Sequence, residues 1–156
     1  MNLVPFAVTC EAGMVFFTVV GTTAPPRLGA LPAYAGTVAT EIACNWKTCV
    51  EHLLGDRNEG SSDFTWHWPL LAVRRAGSAA IVEQIVPHTF LRTRLLTHVF
   101  GGSIDEQSAM AASIKQACER LQADRAAGRM SEGAGGLLAG FHRRLDAAYA
   151  EVRAAT

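Results

Sequence analysis

Three kinds of side chain in this sequence could do chemistry: five histidines, four cysteines and a short run of carboxylates. Imidazole is a common metal ligand and a general base near neutral pH. His52, His67, His88, His98 and His142 include no pair three to five residues apart. That spacing would place two imidazoles on one helical face or tight loop. None of them adjoins a serine or cysteine nucleophile, so each is expected to be structural or solvated. Cys10, Cys44, Cys49 and Cys118 form no C-x-x-C and no C-x-H pair, so they spell no local zinc or iron–sulfur ligand set. They are expected to be reduced thiols, mostly buried, in a cytosolic protein. Asp56, Glu59 and Asp63 offer the oxygen ligands that hard cations prefer. They lack the ordered spacing of an EF-hand, and a solvated loop is expected. No P-loop, G-x-G-x-x-G, H-E-x-x-H or G-x-S-x-G occurs.

The elements that must position these groups follow from patterning. Residues 3–9 and 14–20 are apolar and β-branched and read as a hairpin turning at Gly13. Three prolines and two glycines in residues 21–32 predict a loop draped over a surface. Residues 36–44 alternate as a strand. Asn45 is a suitable N-cap, and Trp46, Val50, Leu53 and Leu54 recur at helical spacing until Gly55, predicting a helix over 46–54. On this reading Trp46 and Val50 are core anchors. A polar loop follows over 55–63. Residues 64–73, 78–87 and 90–100 read as a three-stranded antiparallel meander, with turns at 75–77 and after Pro87. The period then changes to 3.6. Met110, Ile114, Ala117, Cys118 and Leu121 mark one face of a helix from Ile104 to about Ala127. A second helix over 134–153 aligns Leu137, Leu138, Phe141, Leu145, Ala148, Tyr149 and Val152. The expected class is α+β: an antiparallel sheet with helices segregated to one side, enclosing a small-molecule cavity against a long C-terminal helix.

Composition bounds the rest. The 156 residues are 49% hydrophobic and 18% charged, enough apolar side chains for one packed domain and too many for overall disorder. Lys+Arg and Asp+Glu are 14 each, which argues against a nucleic-acid binder or a polybasic membrane module. No apolar run reaches the length of a bilayer span, and residues 12–21, preceded by Glu11, do not read as a signal peptide. A cytoplasmic location is expected. Lys47 and Lys115 are the only lysines, and with abundant Ala this suggests a high-GC bacterial gene.

The stretch from Asn45 to Asp56 is more specific. It resembles the segment that opens the iron site in the catalytic domain of Rieske non-haem iron ring-hydroxylating oxygenase alpha subunits. There the pattern runs Asn-Trp-Lys, three residues, an acid, Asn, two residues, Gly/Glu-Asp, then Tyr-His and a second His. Asn45, Trp46, Lys47, Glu51, Gly55 and Asp56 fit, and His52 stands where Asn is usual. The resemblance continues in order along the chain. It takes in residues 14–20 and 24–32, Arg92-Thr93-Arg94 to Phe100, Cys118-Glu119 to Gln122, and Phe141-His142-Arg143. It implies a helix-grip, START-like fold for a single domain over 1–156. It also implies Fe(II) as cofactor, trimers or partner subunits, and a small hydrophobic ligand.

The departures shape the expected function. The family binds Fe(II) with two His and one carboxylate, leaving open positions for O₂ and substrate. Carried over by position, the first His falls on Glu59, the second on about Phe64, and the carboxylate on Ile114 or the adjacent Ser113. Several dozen residues that the family carries near 57–64 have no counterpart. Asp56 matches the acid that links the iron to a neighbouring subunit's Rieske cluster. That cluster's C-x-H…C-x-x-H pattern does not occur here. The leading expectation is therefore a non-catalytic or accessory relative that binds a small molecule or a partner oxygenase subunit. A second reading keeps an iron oxygenase component with rearranged ligands, drawn from His52, Asp56, Glu59 and His98. A third is a degenerate gene fragment.

Overall fold

The structure, a computed structural model, describes residues 6–19, 26–55, 63–129 and 136–154. β1 (Phe6–Glu11) and β2 (Met14–Val19) form the expected hairpin, with Glu11 opposite Met14. The two intervening residues, Ala12 and Gly13, both have positive φ (49° and 80°). This is the turn whose twist matches a right-handed ribbon. Of the loop expected over 21–32, residues 26–32 are described, and they lie over the sheet. The Glu11 carboxylate accepts from Leu28 N (3.2 Å) and Gly29 N (3.3 Å), and the Arg75 guanidinium donates to the carbonyls of Leu28 and Ala30.

The main sheet has five antiparallel strands in the order β3-β7-β6-β5-β4. They are β3 (Tyr34–Ile42), β4 (Phe64–His67), β5 (Leu71–Ala76), β6 (Ala79–Thr89) and β7 (Arg92–Phe100). The single strand expected over 64–73 is two strands, β4 and β5, paired with His67 opposite Leu71. Pro69 lies between them and has no N–H to give a ladder, so the chain turns there instead of running on. Pro87, in contrast, does not turn the chain. β6 continues through it to Thr89, with a register shift between Pro87 and Thr89. Gly101 ends β7 at φ +66°, where a Cβ would meet Pro32 Cβ at 2.8 Å. Only glycine fits that close approach.

Helices cover one face of the sheet. α1 (Trp46–Leu54) crosses from the end of β3, α2 (Ile104–Ala126) lies along β3 and β7, and α3 (Gly136–Ala154) packs against α1. The fold class is as expected, with α2 as the helix held directly on the sheet. Ile42, Ala72, Ile85 and Leu95 of the sheet meet Val50 and Leu54 of α1, Ile114 and Cys118 of α2, and Leu138 and Phe141 of α3 in one buried cluster. Two expected helix faces are corrected. Met110 is exposed, and Ala111 takes its place beside Ile114 and Cys118. On α3 only Leu138 and Phe141 are buried, while Ala148, Tyr149 and Val152 face outward. α1 has nine residues against nineteen in α3. At about 1.5 Å per residue α1 is roughly half as long as α3, and the exposed Tyr149 meets it through the Lys47 side chain.

The other sheet face is covered by the hairpin and the segment after it. Leu28 packs with Leu71, Val73, Ala80, Val82 and Phe100, and Met14, Phe16 and Leu31 flank them. Among the described residues no helix is long and apolar enough to cross a membrane.

Candidate functional site

Three of the segments that carry the resemblance, around 45–55, 118–122 and 141–143, meet in space around α1. Asn45 caps the helix, its Oδ1 accepting from Lys47 N at 3.0 Å. Asn45 Nδ2 donates to Phe90 O at 2.9 Å, and its backbone N–H donates to Gln122 Oε1 of α2, also at 2.9 Å. Thr48, one turn on, donates to the same Gln122 oxygen and accepts from Arg125. Glu51 pairs with Arg125 of α2 through one carboxylate oxygen and with His142 Nε2 of α3 at 2.9 Å through the other. Trp46 packs edge-on to Phe141, and Lys47 reaches the Tyr149 ring at 4.7 Å and its hydroxyl. Asn45, Trp46, Lys47 and Glu51 thus tie three helices together. Arg125 and His142 are the partners that sequence reasoning missed, since they stand 74 and 91 positions from Glu51.

Three of the four cysteines also converge, without any local motif to signal it. Cys44, Cys49 and Cys118 are fully enclosed in the core. The thiol of Cys44 is raised well above its ordinary pKa by its hydrogen bond with Cys118, then by burial. For Cys118 the Cys44 contact pulls downward, but the Cys49 thiol and burial outweigh it and the net shift is upward. Protonated, enclosed thiols are poor nucleophiles and poor metal ligands. Nearby, Lys115 and the N–H of Ala43 hold the Glu119 carboxyl below the usual range.

The positions onto which the resemblance carries two iron ligands also come together. Phe64 on β4 and Ile114 on α2 are 6% and 7% exposed and lie in the same apolar cluster. The side chains there offer carbon where iron needs nitrogen and oxygen. Ser113 is exposed and donates to Ala109 O within its own helix. Among the described residues, no three His, Cys, Asp or Glu side chains are grouped to hold a metal. Among the described residues, those at the carried-over positions do not fit Fe(II). Asp56 and Glu59 lie outside the described residues. His52, on α1, and His98, on β7, are not brought together. His98 faces the hairpin, the side of the sheet away from the helices. Asp63 is exposed, and its carbonyl accepts from Arg75 N at the start of the β4–β5 ladder.

On that hairpin side lies a cleft of about 480 Å³. Met14, Phe16, Leu71 and Phe100 supply apolar wall, and Tyr34, Thr37, Gln84 and His98 supply polar groups. Three of these form a relay: Tyr34 OH to Thr37 Oγ1 at 2.6 Å, and Thr37 Oγ1 to His98 Nδ1 at 2.7 Å. His98 Nε2 is enclosed and has no hydrogen-bond partner among the described residues. Burial pushes the His98 imidazole below its ordinary pKa, so the ring is neutral near pH 7.

No protein-family model and no curated protein matches the chain. Solved structures do. The apo form of the quaternary ammonium Rieske monooxygenase CntA superimposes with a TM-score of 0.58 at 17% identity, covering 83% of this chain and 52% of that one. The same enzyme with its substrate gamma-butyrobetaine gives 0.57 at 17% identity, covering 83% and 53%. Its complex with the substrate L-carnitine gives 0.51 at 18% identity, covering 85% and 53%. The chain therefore has the α+β fold seen in a Rieske monooxygenase and spans about half the length of those chains.

Proposed function

We propose that this chain is a non-catalytic relative of the Rieske oxygenase catalytic domain. On this reading it acts as an accessory or binding module that associates with a small molecule or a partner oxygenase subunit. The observation that carries this reading is that Phe64 and Ile114, at two of the positions onto which the resemblance carries iron ligands, are both apolar members of the buried core. A facial triad needs all its ligands to hold iron and keep positions open for O₂. Two of the three positions are filled here by apolar side chains that pack against Leu54, Ile85 and Phe141.

The segments that support the resemblance have a second use that needs no metal. Asn45, Lys47 and Glu51 bind α2 and α3, so their pattern is explained by assembly of the helices. Rearranged ligation by His52 and His98 is disfavoured because the sheet stands between them.

The test is metal loading followed by turnover. Purified protein is incubated anaerobically with Fe(II), desalted, and assayed for bound iron and for O₂ uptake with a ferredoxin–reductase pair. Iron well below one per chain and no substrate-dependent O₂ uptake are expected. One tightly bound iron per chain with a hydroxylated or demethylated product would overturn the reading.

A further inference from the structure

We propose that the cleft between the β1–β2 hairpin and the outer face of the sheet binds an uncharged aromatic molecule carrying a hydroxyl group. The inference deepens the binding-module reading by naming its site and ligand class.

The cleft has the size of a small-molecule site, about 480 Å³. Its construction selects the ligand in two ways. The first is charge. Among the described residues no Asp, Glu, Lys or Arg lines it, and its histidine is held neutral by burial. An ionised ligand would lose hydration there with no opposite charge to receive it. The second is the division of its walls. Phe16 and Met14 from the hairpin face Phe100 of the sheet, whose ring lies 5.5 Å from that of Tyr34. These are surfaces on which a flat ring gains stacking and dispersion.

The polar wall is the Tyr34–Thr37–His98 relay. Hydroxyls at both Tyr34 and Thr37 donate and accept, so the relay runs in either direction. In one direction His98 Nε2 is a proton donor, and in the other an acceptor. It has no partner among the described residues in either case. A ligand hydroxyl, which also donates and accepts, complements the Tyr34 and Thr37 hydroxyls of this wall in both directions of the relay, whereas a purely apolar ring does not. The cleft sits on the sheet face opposite Phe64 and Ile114, so it is separate from the positions discussed for iron.

The experiment is an NMR titration of ¹⁵N-labelled full chain at pH 7.5 with three probes of one shape: 2-naphthol, naphthalene and 2-naphthoate. Saturable shifts are expected with 2-naphthol at the amides of Met14, Phe16, Thr37 and Phe100 and at the His98 ring nitrogens. Naphthalene and 2-naphthoate should bind at least about tenfold more weakly, because a site built around hydrogen-bonding groups rejects analogues that leave them unpaired. Thr37→Val, which breaks the relay with little change of volume, should bring 2-naphthol down to the affinity of naphthalene. The comparison of the three probes on unaltered protein stands even if that variant misfolds. Equal affinities for the three, shifts centred on the helices instead of the cleft, or no saturable shift would each overturn the proposal. The readout involves neither iron nor O₂, so its failure is distinct from failure of the non-catalytic reading.

Discussion

Replacing Arg74 by Met should destabilise the fold by about 3 kcal/mol, because it strands a buried charge. Glu83, on β6, has a side chain that is 0% exposed, and Arg74 on the neighbouring β5 is 21% exposed. The guanidinium grips both carboxylate oxygens, Nε to Oε2 at 3.2 Å and Nη2 to Oε1 at 2.9 Å. It also reaches Gln107 of α2 at 3.5 Å. Removing one partner of a buried pair costs roughly 3–5 kcal/mol. The partial exposure of Arg74 lets some water approach the vacated position, which favours the lower end. For a chain of this size that is a fall in Tm of about 6–12 °C. The opposite truncation differs. Glu83→Met leaves the partly exposed guanidinium free to hydrate and should cost about 1 kcal/mol. The double variant, with methionines packing together beneath α2, should return to within about 1 kcal/mol of the parent. Urea unfolding followed by far-UV circular dichroism measures all four proteins. A single cooperative transition with an unchanged slope is expected for each. The reasoning is refuted if Arg74→Met lies within about 0.5 kcal/mol of the parent, or if the double variant is as unstable as Arg74→Met.

Two further outcomes follow from the site. Glu51→Ala should cost only about 1–2 kcal/mol, since Arg125 and His142, left without their partner, are 38% and 45% exposed and can hydrate. Amide exchange in α3 should quicken more than exchange in the sheet, and equal loss of protection in both would argue against Glu51 as the tie between α1 and α3. Stability should also fall as pH drops below about 6.5. Burial depresses the folded-state pKa of His98 and His67, so the unfolded chain takes up protons first as pH falls. The stability these groups contribute is present above the ordinary imidazole value and declines until the folded pKa is reached. A urea midpoint that falls between pH 7.5 and 5.5, with a shallower fall in His98→Gln, is expected. A slope unaffected by that substitution would count against the assignment.

Much of the secondary structure was legible because it is local. Apolar β-branched runs around Gly13 announced the hairpin, alternation announced β3, and Asn45 announced the cap of α1. Where local patterning misled, a tertiary neighbour overrode it. Tyr149 and Val152 carry helical periodicity, but both are exposed, and Tyr149 meets α1 through the Lys47 side chain and not through a buried apolar face. Pro87 looked like a turn, but the ladder with β7 accommodates it at a register shift. The resemblance located the motif around Asn45 and Glu51, yet its pieces stand far apart in the chain, and their meeting through Gln122, Arg125 and His142 is a property of the folded state.

What the sequence alone determined is therefore the kind of domain and its order of elements, together with the apolar identity of Phe64 and Ile114 at the positions that matter for iron. Those follow from side-chain chemistry and from periodicity over a few turns or strands. Only the tertiary structure decided that Phe64 and Ile114 share one core, that three cysteines of unrelated spacing touch, and that His98 faces away from His52. The physical reason is that a sheet has two sides. A one-residue step along β7 separates the helix-facing core from the cleft under the hairpin, and packing against other elements, not the strand pattern itself, determines which face is which.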